Sequence, residues 1–218
     1  MNPLFADRQA VFFDFDGVIV DSHHVKTRAF AALYADDHPE IVEQVIAYHN
    51  AHGGVSRHRK FEYFETALLG RTPAPERLAY LAERFAEAVV EEVVASPEIE
   101  GAEALLQALA LRRIPCVVAS GTPEDELRMI VERRGLLRYF HDVRGAPAEK
   151  ADILAESIEA MGLDARACLM IGDAMTDYHA AMNTNVPFLG VVAAGAASPF
   201  PAGVRTIESF AAISGAMV

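Results

Sequence analysis

Cysteine is scarce in this chain: Cys116 and Cys168 are the only two, each inside an apolar run, IPCVVAS and ACLMIGD. Two thiols so placed read as buried side chains in a reducing compartment, and they build neither a disulfide scaffold nor a zinc site. Positive charge is also short. Nineteen basic residues face thirty-one acidic ones, for a net charge of −12. That balance repels polyanions and argues against a nucleic-acid groove or an anionic membrane surface. Lysine is rarer still, with Lys26, Lys60 and Lys150 against sixteen arginines. No uninterrupted membrane-length apolar run exists. Residues 186–204 carry no charge, but Pro187, Gly190, Gly195, Pro199, Pro201 and Gly203 break them up. The opening MNPLFADRQA lacks the basic and apolar regions of a signal peptide, so a cytoplasmic location is expected.

What is present is a globular composition. The 218 residues (23.7 kDa) are 52% hydrophobic and 23% charged, with a mean hydropathy of +0.16. That excludes a disordered chain and suits one large domain, or a domain with a smaller insert. Short apolar runs at residues 10–15 (AVFFDF), 115–120 (PCVVAS) and 168–172 (CLMIG) predict parallel strands covered on both faces, with a weaker one at 186–192. Helical patterns at 101–111, 123–134 and 149–161 lie between them, so the expected class is α/β, a doubly wound parallel sheet. Residues 22–95 break the rhythm with helix-like stretches at 24–34, 41–49, 57–69 and 75–94 and no convincing strand. The division expected is a Rossmann-like core of residues 1–21 and 96–218 with a helical insert at 22–95.

Reactive side chains gather where these strands end. The first runs into Asp14-Phe15-Asp16-Gly17 with Asp21 and Ser22 behind, the second into Ser120-Gly121-Thr122, and the third into Gly172-Asp173 with Asp177. Open α/β sheets bind ligands at the carboxyl ends of their strands, so three loops converge on one crevice. Asp14 and Asp16, two apart in extended backbone, put like charges on one side, which is costly without a cation. Mg²⁺ is the hard-oxygen partner for such carboxylates, with Asp173 reaching the same crevice. The metal would also let an anionic phosphate approach them.

Together these segments resemble the haloacid dehalogenase-like phosphatase superfamily. Its DxDGxxxD motif appears as Asp14 to Asp21, its Ser or Thr after an apolar strand as Ser120, its lysine before a helix as Lys150, and its GDxxxD motif as Gly172 to Asp177. All four stand in family order, and the likeness spans residues 12–192. The resemblance implies a nucleophile at Asp14 and a general acid and base at Asp16. It implies Mg²⁺ held by Asp14, the backbone carbonyl of Asp16, and Asp173. Ser120 and the N–H groups around Gly121 would bind phosphoryl oxygens, Lys150 would offset transition-state charge, and Asp177 would orient Lys150 or a metal-bound water. Dehalogenases of this fold lack the second aspartate, so Asp16 favours phosphoryl transfer. Phosphonate hydrolysis would need a Schiff-base lysine in the insert, where Lys26 is the best placed, and ranks lower.

The insert resembles the family's C1 cap, a lid over the crevice. Within it Gly53-Gly54-Val55-Ser56-Arg57-His58-Arg59-Lys60-Phe61 combines a turn, a helix-capping Ser56 and a cationic cluster, similar to the GxSR loop of β-phosphoglucomutase-like and phosphoglycolate phosphatase-like members. Arg57 and Lys60 are therefore expected to meet the non-reacting part of an anionic substrate. His49 and His52 have helical spacing but no ligand partners in the pattern, and read as solvated or packing residues. The function expected is a Mg²⁺-dependent phosphatase of a small phosphorylated metabolite, such as a sugar phosphate or phosphoglycolate. A phosphomutase or a non-catalytic binding protein on the same fold stands as the alternative. Substrate and oligomeric state stay open.

Overall fold

The computed structural model describes residues 4–214. Its centre is a six-stranded, wholly parallel sheet. The strands are β1 (Ala10–Phe13), β2 (Cys116–Pro123), β3 (Asp142–Ala146), β4 (Cys168–Gly172), β5 (Phe188–Val191) and β6 (Thr206–Ile207), in the spatial order β3-β2-β1-β4-β5-β6. This is the Rossmann order, and its switch point lies beside β1, flanked by β2 and β4.

Side-chain alternation explains the apolar runs. In β1, Val11 and Phe13 join the larger core on one face while Ala10 and Phe12 face the other. β2 repeats this with Cys116 and Val118 against Val117 and Ala119, and β4 with Leu169 and Ile171 against Cys168 and Met170. A strand buried on both faces has no polar side to show. Helices α5 (Ala102–Leu111) and α6 (Glu124–Arg133) cover the first face through Leu105, Leu106, Leu109, Leu127, Ile130 and Val131. Helices α7 (Lys150–Met161) and α8 (Met175–Asn183) cover the second through Ile153, Leu154 and Ala181.

The three apolar runs and the weaker fourth form strands as expected, the first shortened to Ala10–Phe13. Strands β3 and β6 were not anticipated. Both lie at sheet edges, where DVRGA and TI need not be apolar on both sides. Helices α1 (His23–Leu33), α2 (Pro39–Ala51), α3 (Arg57–Tyr63) and α4 (Pro75–Ala95) fill the segment between β1 and α5. The helix expected across 57–69 changes at Phe64 into a π-helical turn, Phe64–Leu68. Ser56 stands at the start of α3, but its side chain makes no capping hydrogen bond. Phe30, Phe61, Phe64 and Phe85 pack edge-on or tilted against one another and continue the larger core from the sheet into these helices. A short helix, α9 (Ala211–Ser214), closes the described chain. Among the described residues no helix is long and apolar enough to cross a membrane.

Candidate active site

Strand β1 delivers Asp14 to the sheet's carboxyl edge. Its N–H still donates to the Ile171 carbonyl of β4 (2.9 Å), so the backbone is fixed by the ladder up to the carboxylate. The side chain is buried. Oδ1 accepts from the Phe15 N–H at 2.7 Å, and Oδ2 lies 2.8 Å from Lys150 Nζ. Lys150 begins α7 and bridges onward to Asp177 Oδ1 at 2.5 Å. Asp177, in the first turn of α8, accepts from the Ala174 N–H with its other oxygen at 3.1 Å. One ammonium thus serves two buried carboxylates. Burial opposes its charge, yet Asp14 and Asp177 hold it above the usual lysine range.

Three carboxylates exceed what one lysine neutralises. Oxygens of Asp14, Asp173 and Asp177 lie within 4.8 Å of one another. Burial pushes the Asp14 carboxyl up to about 7, with the charges of Asp177 and Asp16 adding to it and Lys150 opposing. Asp173 is raised well above the carboxylate range, by burial first and then by Asp14 and Asp177. Crowded acids with this unrelieved repulsion, offering hard oxygen donors, fit a divalent cation such as Mg²⁺. Gly17 makes the approach possible: at φ +77°, its missing Cβ would stand 2.1 Å from Asp173 Oδ2.

Asp16 is directed elsewhere. Oδ1 accepts from Ser22 Oγ at 2.6 Å, and Oδ2 from Lys26 Nζ at 2.5 Å and Thr122 Oγ1 at 3.2 Å. Burial works against its charge, but Lys26 above all, with Ser22 and Thr122, holds the carboxyl below its usual range. Its carboxylate is therefore not in the acidic cluster, where Asp177 stands instead; any part of Asp16 in metal binding falls to its backbone carbonyl. Ser120 is buried at the end of β2, its Oγ accepting from the Thr122 N–H at 3.2 Å.

The loop before α3 is seated on this edge. Gly53 O accepts from Thr176 Oγ1 at 2.9 Å, and a Cβ on Gly121 would lie 2.3 Å from the Gly54 carbonyl oxygen. A cavity of about 50 Å³ remains between, lined by Asp14, Asp16, Ser120, Arg57, Lys60 and Asp173 among others. All the anticipated residues except Lys150 and Asp177 line it, and those two stand directly behind Asp14. Arg57 is nevertheless committed: its guanidinium, buried, pairs with the partly buried Glu126 of α6 and lies 4.8 Å from the Phe85 ring centroid. Lys60 Nζ bonds His49 Nδ1 at 2.9 Å.

Glu126, Thr122 and His49 were not read from the sequence as site residues, and Lys26 only as a remote Schiff-base candidate. Its amino group is instead engaged with Asp16 and, at 2.9 Å, with Thr122 Oγ1. A lysine one helical turn into α1, close behind the DxD pair, was the available signal.

A family model for haloacid dehalogenase-like hydrolases matches residues 9–183. The chain belongs to that family. It is accordingly a hydrolase, and its Rossmann-like sheet is the family's fold. A phosphoglycolate phosphatase from Rhodospirillum rubrum is 30% identical over 186 residues, covering 82% of this chain and 77% of the relative. Among solved structures, a predicted phosphoglycolate phosphatase from Haemophilus somnus superposes with a TM-score of 0.74 at 16% identity, covering 98% of this chain and 99% of the other. The β-phosphoglucomutase of Clostridium difficile gives 0.73 at 17% identity, covering 94% and 93%. At such identities the structures speak for the fold alone.

Proposed function

We propose that this hydrolase is a Mg²⁺-dependent phosphatase of a small phosphorylated metabolite, acting through an aspartyl-phosphate on Asp14. The observation that carries the reading is the environment of Asp14. A buried carboxylate at the strand end has one oxygen turned by the Phe15 N–H and the other held by Lys150, and it faces a cavity beside Asp16 and Ser120. Kinship with a phosphatase at 30% identity supports the same chemistry.

In the first step an Asp14 oxygen attacks phosphorus, the ester P–O bond breaks, and the departing oxygen takes a proton from Asp16. In the second, water attacks the phosphorus of the aspartyl-phosphate and gives a proton to Asp16, releasing phosphate and restoring Asp14. The contacts from Lys26, Ser22 and Thr122 favour the ionised, water-activating form of Asp16; the first step draws on the protonated one. Ser120 and the N–H groups near Gly121 bind phosphoryl oxygens, and Lys150, oriented by Asp177, offsets charge on nucleophile and phosphate. Asp14 and Asp173, with the Asp16 carbonyl, would hold Mg²⁺, which when bound neutralises the carboxylates against an incoming dianion.

Residues 22–95 act in this reading as a cap over the core of residues 1–21 and 96–218, excluding water and bringing Arg57 and Lys60 to the substrate side. The partner is a small phosphorylated metabolite, not a nucleic acid, and the working compartment is the cytoplasm. The test is p-nitrophenyl phosphate turnover by the full chain. Mg²⁺-dependent phosphate release, stopped by EDTA and lowered about 10³-fold or more by Asp14→Asn, is expected. Turnover that survives Asp14→Asn would overturn the assignment.

A further inference from the structure

Three cations line the cavity, and two are already matched: Arg57 by Glu126 and Lys26 by Asp16. Lys60 differs. It is 3% exposed, and among the described residues no carboxylate pairs with it. Its polar partner is His49 Nδ1, and its ammonium lies 5.6 Å from the Phe30 ring centroid. An isolated buried ammonium is costly, and a fold retains one only where something else supplies the counter-charge.

His49 carries the second, independent mark. It too is 3% exposed, lies stacked 5.1 Å from the His23 ring and lines the same cavity, while its buried Nε2 has no hydrogen-bond partner among the described residues. With Lys60 donating to Nδ1, the neutral imidazole carries its proton on Nε2. At this wall, among the described residues, the imidazole N–H therefore lacks an acceptor and the ammonium lacks a carboxylate.

We propose that Lys60, positioned by His49, reads a carboxylate at the non-reacting end of the substrate, so that this enzyme selects phosphorylated short hydroxy acids. The inference rests on the phosphatase reading and adds to it the specificity determinant. Charge chooses the carboxylate. One unmatched ammonium balances one negative charge, whereas a second phosphate would call for another cation, and Arg57 and Lys26 are both engaged. The Lys60 amine, brought down to about 7 by burial and by Lys26 and Lys150, is consistent with a cation awaiting its anion.

The experiment compares kcat/KM for three esters of similar length: 2-phosphoglycolate, 2-hydroxyethyl phosphate and a short bisphosphate, each with wild type, Lys60→Met and His49→Phe. Wild type is expected to favour the acid over the neutral ester by about 100-fold, the scale of a charge-assisted contact, expressed mainly in KM. Lys60→Met should collapse that ratio to within a few-fold of unity, and His49→Phe should lower it about 10-fold. Wild type preferring the neutral ester or the bisphosphate overturns the proposal without any variant. So does an acid-to-neutral ratio unchanged in folded Lys60→Met. No phosphate release from any ester, nor from p-nitrophenyl phosphate, would instead overturn the phosphatase reading beneath it.

Discussion

Replacing Lys60 by methionine should stabilise the protein at neutral pH, although it removes a hydrogen bond. The amine ordinarily protonates at 10.5, and in the fold burial, then Lys26 and Lys150, bring it down to about 7 against the weaker pull of Asp16 and Asp173. Between those values the unfolded chain binds the proton and the folded chain does not, so stability rises with pH across that window. Below pH 7 the whole penalty is present, and above 10.5 it is gone. Three and a half pKa units at ~1.4 kcal/mol each set a ceiling near 5 kcal/mol. Methionine keeps an unbranched stem beside Phe30 and gives up the contact to His49 and the ammonium's place over the Phe30 ring, each worth about 1 kcal/mol. The variant should be more stable than wild type by about 2–4 kcal/mol at pH 7, and the gap should narrow through pH 8–10. Urea unfolding of both proteins at steps from pH 6 to 10.5 measures it, the other titrating groups cancelling in the difference. A variant less stable at pH 7, or a gap that does not change with pH, would refute the account of Lys60 as an unmatched buried cation.

Two further outcomes follow from contacts between the inserted helices and the core. Arg57→Met and Glu126→Leu should each cost about 3 kcal/mol in urea unfolding, because each leaves a buried charge alone, while the double variant should lose far less than the sum. Gly121→Ala would drive a methyl to within 2.3 Å of the Gly54 carbonyl oxygen, so the loop must withdraw; kcat/KM should fall at least about 10-fold, with Tm little changed because the atoms met belong to that loop and not to the sheet.

The interior of the sheet was legible because parallel strands covered on both faces have no choice but to be apolar, and β1, β2 and β4 are all of that kind. β3 escaped notice for the converse reason: as an edge strand it carries Asp142 and Arg144, which pair with Arg128, Glu124 and Glu156 on neighbouring helices. The chemistry at the strand ends was legible on similar grounds. Carboxylates directly after apolar strands are expensive unless a site needs them, and Asp14 and Asp16 follow one such end and Asp173 another. Their partners within the site were less so. That Asp177 and not the Asp16 carboxylate faces Asp14 and Asp173 depends on which way a side chain turns once Ser22, Lys26 and Thr122 have surrounded Asp16.

The cationic run of residues 57–60 shows where pattern reasoning stops. In sequence Arg57 and Lys60 are equivalent, two cations one helical turn apart, and both were expected to await the substrate. The fold separates them. Glu126, on a core helix 69 positions away, sits across from Arg57 and takes it up in a buried ion pair that joins α3 to α6. Among the described residues no carboxylate pairs with Lys60; the neighbour there is a histidine, which burial and the adjacent Lys60 and His23 keep neutral by lowering it to about 2. Arginine suits the first role, since its rigid fork grips a carboxylate and its flat face rests on Phe85, whereas lysine loses a proton readily when buried and regains it when an anion arrives. The identity of the partner across the cleft, not the charge itself, makes one cation a strut and leaves the other for the ligand.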